Sequence, residues 1–428
     1  MEGRMAQGGR IAVMGAGIVG VATALTLARA GEDVVLVDKA GPAAGASFGN
    51  AGLLAASAVM PVGAPGLPAR LPGMLASPEA PLFLDWARLP RLAPALLPWG
   101  LRFLRHCSAP EAARLSAALA PLVTGTLAEH EALAAGTPAA RFIRPCDYLY
   151  LYPNRAAFAT DAHLWGLRAA AGLTWEELEG PALRAAEPAF APDLGFAARM
   201  GGHGRISDPG GYVAALARAF EAAGGRIITA EVHDVLRAGG AVAGLRLVGQ
   251  APGAETLACS AVVISAGAWS GGLARRLGLR VPLMAERGYH LELWGPSRQP
   301  RQPVMLARGQ FVATPMEGRL RLAGIAEFGT PEAPAARAPL AYLRRQLARV
   351  LPGLEWREAR EWVGPRPTTP DSLPLIGAVP GLSGAFVGFG HQHVGLTAGP
   401  ITARLLAQLV RGQRPNLDLA PYAPDRFS

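Results

Sequence analysis

The chain has 428 residues, half of them hydrophobic and only 17% charged, with 53 glycines and 38 prolines. That balance excludes a disordered chain and predicts two or three folded domains joined by many tight turns. The net charge of +9 rests on scattered arginines, Lys39 being the only lysine. Nothing therefore marks a nucleic-acid surface, and Schiff-base chemistry has one residue to draw on.

Cys107, Cys146 and Cys259 are far apart and form no CxxC pair. This argues against a zinc site or disulfide framework and for a reducing compartment. The start, MEGRMAQGGR, has no apolar signal-peptide core. Three uncharged stretches, 11–28, 46–69 and 373–390, are interrupted by glycine or proline. They read as buried soluble structure, and the expected location is cytoplasmic.

In chain order, residues 10–14 form a short apolar β-type run, followed by GAGIVG and a helical pattern ending at Gly31. Residues 34–37 read as a second buried strand closed by Asp38, completing a βαβ unit. Residues 41–80 have no clear periodicity. In 82–106, Leu, Trp and Phe mix with Arg88, Arg91, Arg102 and Arg105. Pro90, Pro94 and Pro98 are predicted to break any long helix there.

A helix is predicted over 110–135. A strand over 142–152 would place Tyr148, Tyr150 and Tyr152 on one face, where sheet packing is the plain reading. Then come a helix at 210–224 and strands at 226–237, 242–248 and 261–265. Strands at 281–293, 310–314 and 320–325 suggest an antiparallel region. Residues 340–350 read as a helix, 386–388 as a strand and 394–410 as a final helix.

The strongest motif is Gly15-Ala16-Gly17-Ile18-Val19-Gly20, between a strand and a helix. Gly15 permits the tight turn, Gly17 lets backbone approach a pyrophosphate, and Gly20 allows close helix–strand packing. The helix N-terminus offers N–H groups to the phosphates. Asp38 lies 18 residues past Gly20 and suits ribose hydroxyls, which argues against NADP. A dinucleotide site is expected.

Three further segments carry a resemblance: GASFGNAG at 45–52, VVISAGAWS at 262–270, and RPTTPDSLPLIG at 366–377. With the glycine motif, they make the chain resemble the FAD-dependent D-amino-acid oxidase superfamily over about residues 10–411. The branch is that of glycine oxidase, sarcosine oxidase and D-amino-acid dehydrogenase. The resemblance implies an α/β fold, with a Rossmann-type FAD-binding domain and a substrate domain whose mostly antiparallel sheet is flanked by helices. Residues 1–80, 205–280 and 360–428 would form the first domain, and 81–204 and 281–359 the second.

It also implies site residues. Besides the glycine motif, the FAD would meet Asp38, Lys39, Ala46, Ser47, Asn50, Ala51, Gly52, Leu53, Val232, Ala266, Gly267 and Trp269. Gly390, His391, His393, Val394, Gly395 and Leu396 precede the last helix, where backbone N–H groups would face the flavin and stabilise its reduced form. Ser47 and Asn50 read equally as turn chemistry, and Val232 as a core valine.

Arg366 matches the arginine that holds the substrate carboxylate, a task its planar fork suits. His290 or Tyr289, in RGYH, would line the pocket and a neutral His290 would take the ammonium proton, against the plainer reading of structural strand residues. His391 and His393, with no third ligand nearby, argue against a metal. Phe48 and Gly49 stand where a flavin-attaching histidine would be expected, so the FAD is expected to be non-covalent.

The implied reaction is oxidative deamination of D-amino acids: hydride passes from Cα to flavin N5, and the imino acid hydrolyses to a keto acid. The lack of a second lysine leans towards a dehydrogenase, with a quinone or another acceptor. For a quinone, residues 82–106 would be a peripheral surface on the inner membrane. The alternatives are an oxidase of glycine, sarcosine, proline or hydroxyproline isomers, and a non-catalytic FAD-binding subunit. The sequence says nothing about oligomeric state.

Overall fold

A computed structural model describes residues 9–77, 79–248 and 255–428. Most of the N-terminal segment read for a signal peptide lies outside the described residues. Two sheets organise the chain. The first has six strands in the order Leu375–Ala378, Ala385–Phe389, Ala261–Ile264, Ile11–Met14, Val34–Asp38 and Arg226–Thr229. All neighbours are parallel except the first pair.

Its central strands are apolar along their whole length because both faces are covered. Ile11, Val13, Val34 and Leu36 pack with the helices Ile18–Arg29, Pro209–Ala222 and Gly395–Val410. Ala12, Met14, Val35 and Val37 pack on the other side. There they meet a three-stranded antiparallel sheet, Glu231–Ala238, Ala241–Val248 and Thr256–Ala258, and the helix Ser270–Arg276.

The second sheet has ten strands. Its main path runs Glu358–Thr368, Met284–Trp294, Arg319–Phe328, Phe311–Met316, Val304–Leu306, Ile143–Tyr152, Phe196–Ile206 and Leu53–Leu54. Two of these, Leu53–Leu54 and Glu358–Thr368, fall wholly or mostly in segments that the sequence assigns to the nucleotide domain, yet they pair here. Strand parity sorts the side chains. Tyr289, Leu291 and Leu293 enter the core shared with Leu340, Leu343 and Leu347 of the helix Arg337–Val350. Glu286, Gly288, His290 and Glu292 therefore occupy the opposite face.

The expectation of a broken helix in 82–106 is overturned. Leu89–Arg105 is one helix of 17 residues, with Pro94 and Pro98 inside it. The prolines recur every four residues, so Pro90, Pro94 and Pro98 stack on one exposed face. The carbonyls of Pro90 and Pro94 lose their helical donors but belong to exposed residues. On the opposite face Leu92, Trp99 and Phe103 are buried. Trp99 stacks on Phe103 and donates its indole N–H to the Thr368 carbonyl at 3.2 Å.

Candidate functional site

The parallel strands of the first sheet end at Met14, Asp38, Ile264 and Phe389. Beyond these carboxyl ends, where ligands of open α/β sheets bind, lies a cavity of about 1170 Å³ that continues along the second sheet.

The glycine turn forms its first wall. Gly15 has φ +101°, and a Cβ there would lie 2.6 Å from the Ser265 carbonyl oxygen. A Cβ on Gly20 would sit 1.8 Å from the Gly15 oxygen. Gly20 does not line the cavity; it lets the helix dock. Ser47 Oγ accepts the Ile18 N–H at 2.8 Å, so its hydroxyl hydrogen remains to donate. Asp38 accepts N–H groups from Ala16, Ala40 and Gly41 at 2.8, 2.8 and 3.0 Å. It thus braces the cradle and keeps one lone pair on Oδ2 for a ligand hydroxyl.

Lys39, Val232, Ala266, Gly267 and Trp269 line the same end. The Lys39 ammonium stands 4.0 Å from the Trp269 ring centroid. Ala46, Ala51 and Leu53 also line the cavity.

Asn50 lines it too, but its amide braces its own loop, donating to the Ser47 carbonyl at 2.7 Å and accepting the Gly52 N–H at 2.8 Å. Turn chemistry therefore describes it. Gly52 and Gly390 stand behind the wall and supply positive φ, +68° and +88°.

At the last helix, His391, His393, Val394, Gly395 and Leu396 line the cavity. One of the N–H groups expected to face a ligand is already used: Val394 donates to the His391 carbonyl at 2.9 Å, closing a tight turn. His391 is buried against Thr402 Oγ1 at 2.9 Å, and burial pushes its pKa down to about 4. Among the described residues no three His, Cys, Asp or Glu side chains gather as a metal site. Gln392 adopts φ +48° and donates to the Thr369 carbonyl at 2.8 Å, leaving its buried Oε1 without a partner. A cradle that any Cβ would fill at one end and an orphaned acceptor at the other fit an extended dinucleotide whose ring carries N–H groups.

Arg366 lines the adjoining part of the cavity, 18% exposed. Its Nη1 donates to Glu286 Oε1 at 2.5 Å, across a directly paired position of the two strands. Its Nε and Nη2 carry no hydrogen bond to a described residue. The guanidinium lies over Gly288, where a Cβ would approach it to 2.6 Å. The glycine makes room, and one edge of the fork stays free.

Tyr289 and His290 do not line the cavity, which corrects the expectation for both. Tyr289 points into the core, donating to Glu327 Oε2 at 2.6 Å and accepting the Ala336 N–H at 3.0 Å. Burial and Glu327 push its pKa to about 12. His290 donates from Nδ1 to the Gly49 carbonyl at 2.9 Å and stacks on Trp362. Burial, then the nearby Arg321 charge, lowers its pKa to about 3. It is a neutral clamp on the 45–52 loop. Arg321 clamps the same loop, giving Nη1 to the Phe48 and Asn50 carbonyls at 3.0 and 2.5 Å. Arg321 and Arg319 both bond Glu292 Oε1. Burial pushes the Glu292 carboxyl up, but these two guanidinium groups outweigh it and hold the pKa below its ordinary value.

Several cavity residues escaped sequence reasoning. Glu286 showed no signal of its own. Tyr148, Tyr150 and Tyr152 were visible as an alternating set, but they line the cavity as well as pack. Arg168 also lines it, buried against the Tyr150 and Trp165 rings. At the exposed mouth, Leu97 and Leu101, 65% and 64% exposed, line the cavity, as do Arg70, Leu71 and Met74 of the helix Leu67–Ala76. No helix among the described residues is long and apolar enough to cross a membrane.

The FAD-dependent oxidoreductase family model matches residues 10–409. A D-amino-acid oxidase of Bradyrhizobium diazoefficiens is 34% identical, with 99% of this chain and 100% of that protein covered. A D-amino acid dehydrogenase of Rhizobium johnstonii is 31% identical, with 98% and 100% covered. The crystal structure of glycine oxidase from Geobacillus kaustophilus superimposes with a TM-score of 0.73 at 25% identity, covering 98% of this chain and 99% of that one. The chain therefore belongs to the DAO family of FAD-dependent oxidoreductases.

Proposed function

We propose that the protein oxidises the Cα–N bond of D-amino acids and passes the electrons to an acceptor other than oxygen. The observation that carries this reading is the free edge of Arg366, a cation held over Gly288 in the cavity that also holds the glycine cradle. The full-length likeness to proteins named D-amino-acid oxidase and D-amino acid dehydrogenase supports the same substrate class.

FAD, when bound, supplies the two-electron acceptor for the substrate hydride. The protein's part is positioning. Arg366 Nε and Nη2 hold the α-carboxylate as a bidentate pair, while Glu286 fixes the guanidinium plane through Nη1. Tyr148 and Tyr150 form an aromatic wall that excludes water from the amine. The imino product hydrolyses in solvent to a keto acid and ammonia.

Lys39, the only lysine, is engaged with Trp269 rather than with the Arg366 region. This favours the dehydrogenase over an oxygen-activating oxidase. The exposed leucines at the mouth favour a quinone met at a membrane surface, and flotation with quinone-containing vesicles tests that step. Phe48 and Gly49 stand where a flavin-attaching histidine would be expected, which supports non-covalent FAD. The flavin should leave with the supernatant when the protein is precipitated.

The deciding experiment is anaerobic bleaching of the flavin by D- and L-amino acids, glycine, sarcosine and hydroxyproline isomers. Rapid bleaching by D-amino acids is expected, with slow reoxidation in air. No bleaching by any of them would remove the reading and favour the non-catalytic subunit. Arg366→Ala should keep FAD and raise KM roughly tenfold to a hundredfold, the loss of about one charged hydrogen bond or more. An unchanged KM would take Arg366 out of this role.

A further inference from the structure

Four arginines of the described chain are deeply buried: Arg168, Arg287, Arg319 and Arg321. Three of them have a carboxylate. Arg287 pairs with Glu327 at 2.6 Å, Arg319 with Glu292 at 2.7 Å, and Arg321 with Glu292 at 2.6 Å. Arg168, 2% exposed, has none.

Its guanidinium lies against two rings that meet edge to face, 4.3 Å from the Tyr150 centroid and 4.4 Å from that of Trp165. Among the described residues it makes no side-chain hydrogen bond, and its Nε is buried with no partner. Aromatic faces answer a cation's charge in part, but they give its N–H groups no lone pairs in the plane of the fork.

The polar groups around it add no negative charge. Tyr150 hydroxyl meets Ser57 Oγ at 3.1 Å, and Ser57 Oγ meets His203 Nε2 at 2.9 Å. His203 Nδ1 donates to the Gly201 carbonyl at 2.9 Å, and Nε2 accepts the Ser57 backbone N–H at 3.2 Å, so the ring is neutral. Burial, which pushes the His203 pKa down to about 4, agrees. Burial also holds the Tyr148 phenol protonated. Two carboxylates stand further off: Asp161, which lines the same cavity two helical turns earlier and is bonded by Tyr152 hydroxyl at 3.0 Å, and Asp147, whose charge acts on His203; neither is within ion-pair reach of Arg168.

Arg168 lines the same cavity as Arg366, with Leu53, Met305 and Val312 as apolar neighbours in its wall. A buried charge with unused donors and no carboxylate in ion-pair reach is completed by an anion. We propose that Arg168 receives a second carboxylate on the substrate, so that the preferred substrates are amino acids with an acidic side chain. This inference rests on the amino-acid reading for the α-carboxylate at Arg366, but Arg168's anion site is testable without turnover.

The test uses the FAD-loaded protein. Straight-chain dicarboxylates of increasing length are titrated against monocarboxylates of equal length, by calorimetry and by perturbation of the flavin spectrum. Anaerobic flavin reduction is then compared for D-aspartate, D-glutamate and D-2-aminoadipate, each against its side-chain amide. One dicarboxylate length should bind roughly tenfold to a hundredfold more tightly than its monocarboxylate. The matching acidic amino acid should exceed its amide in kcat/KM by a similar factor.

Arg168→Met should collapse both ratios to near one, and Arg168→Lys should restore part of them. Equal binding of dicarboxylates and monocarboxylates by the unaltered protein would overturn the proposal, whether or not any variant folds. So would ratios that survive in Arg168→Met. Dicarboxylate preference with no amine oxidised would keep the anion site and discard the amino-acid oxidation. Oxidation of neutral D-amino acids with no acid preference would do the reverse.

Discussion

The two sheets prepare the cavity by different means. Around the six-stranded sheet, backbone does the work: a left-handed Gly15, N–H groups at a helix start, and a Gly20 that has no room for a methyl group. Along the ten-stranded sheet, side chains do it: Arg366 over Gly288, Arg321 on the loop carbonyls, Arg168 against two rings. Backbone binding needs a contiguous run of the right residues. Side-chain binding needs only that distant strands bring a few groups to one face.

The sharpest way to break this contrast is at Gly20. A Cβ 1.8 Å from a backbone oxygen cannot be relieved by a rotamer change. Gly20→Ala should lose essentially all bound FAD, read as the flavin-to-protein absorbance ratio. Gly166→Ala, where a Cβ meets nothing within 4 Å, should keep it. Retained flavin in Gly20→Ala would mean that the close helix approach is not what builds the cradle.

Next in size is Arg321→Met. It strips Glu292 of one of two cationic partners and frees the Phe48 and Asn50 carbonyls. Breaking such a buried pair costs about 3–5 kcal/mol, which urea denaturation would resolve. FAD affinity should fall as well, since the loop that presents Ser47 to the helix start loses its anchor. Lower stability with unchanged FAD affinity would show that the loop clamp and the glycine cradle act independently.

The same contrast explains what could be read from the sequence. Gly15, Gly17, Gly20 and Asp38 stand within one βαβ unit, so spacing alone gave their geometry. Arg366 was reached through resemblance in an extended segment. His290 and Tyr289 were misplaced because RGYH says nothing about which strand face looks at the cavity. Adjacent residues point oppositely, and the register of Met284–Trp294 sends Tyr289 to the core and His290 to the loop. A proline predicts a helix break on its own, but the four-residue spacing of Pro90, Pro94 and Pro98 carries all three to solvent. Arg168 had no sequence signal: what singles it out is the absence of a partner, and that exists only in three dimensions.

A pH experiment sharpens the contrast further, because buried neutral histidines serve both sheets. Burial is the first cause of the lowered pKa of His130, His203 and His391, each about 4, and of His290, about 3, against an ordinary 6.5. The unfolded chain binds these protons near pH 6.5 and the folded one does not. Their contribution is therefore intact above about pH 6.5 and is lost as pH falls towards 4. Each site adds a slope of up to about 1.4 kcal/mol per pH unit. Urea denaturation between pH 7 and pH 4.5 should show a steep fall, and His290→Gln a shallower one. Parallel slopes in the two proteins would show that His290 takes up a proton in the fold.

Trp269 should give the smallest effect, and for that reason it tests the backbone side of the contrast directly. Trp269 is one of the few side chains lining the cradle, and it is 38% exposed with the Lys39 ammonium 4.0 Å from its ring centroid. A cation–π contact at an exposed site contributes about 0.5–1 kcal/mol. If glycine geometry and helix N–H groups hold the dinucleotide, Trp269→Ala should weaken FAD only about twofold to fivefold, measured by flavin fluorescence on dilution, and Trp269→Phe should restore most of it. Complete loss of FAD in Trp269→Ala would instead make a side chain the principal holder at that end. The two sheets would then differ in fold but not in how they bind.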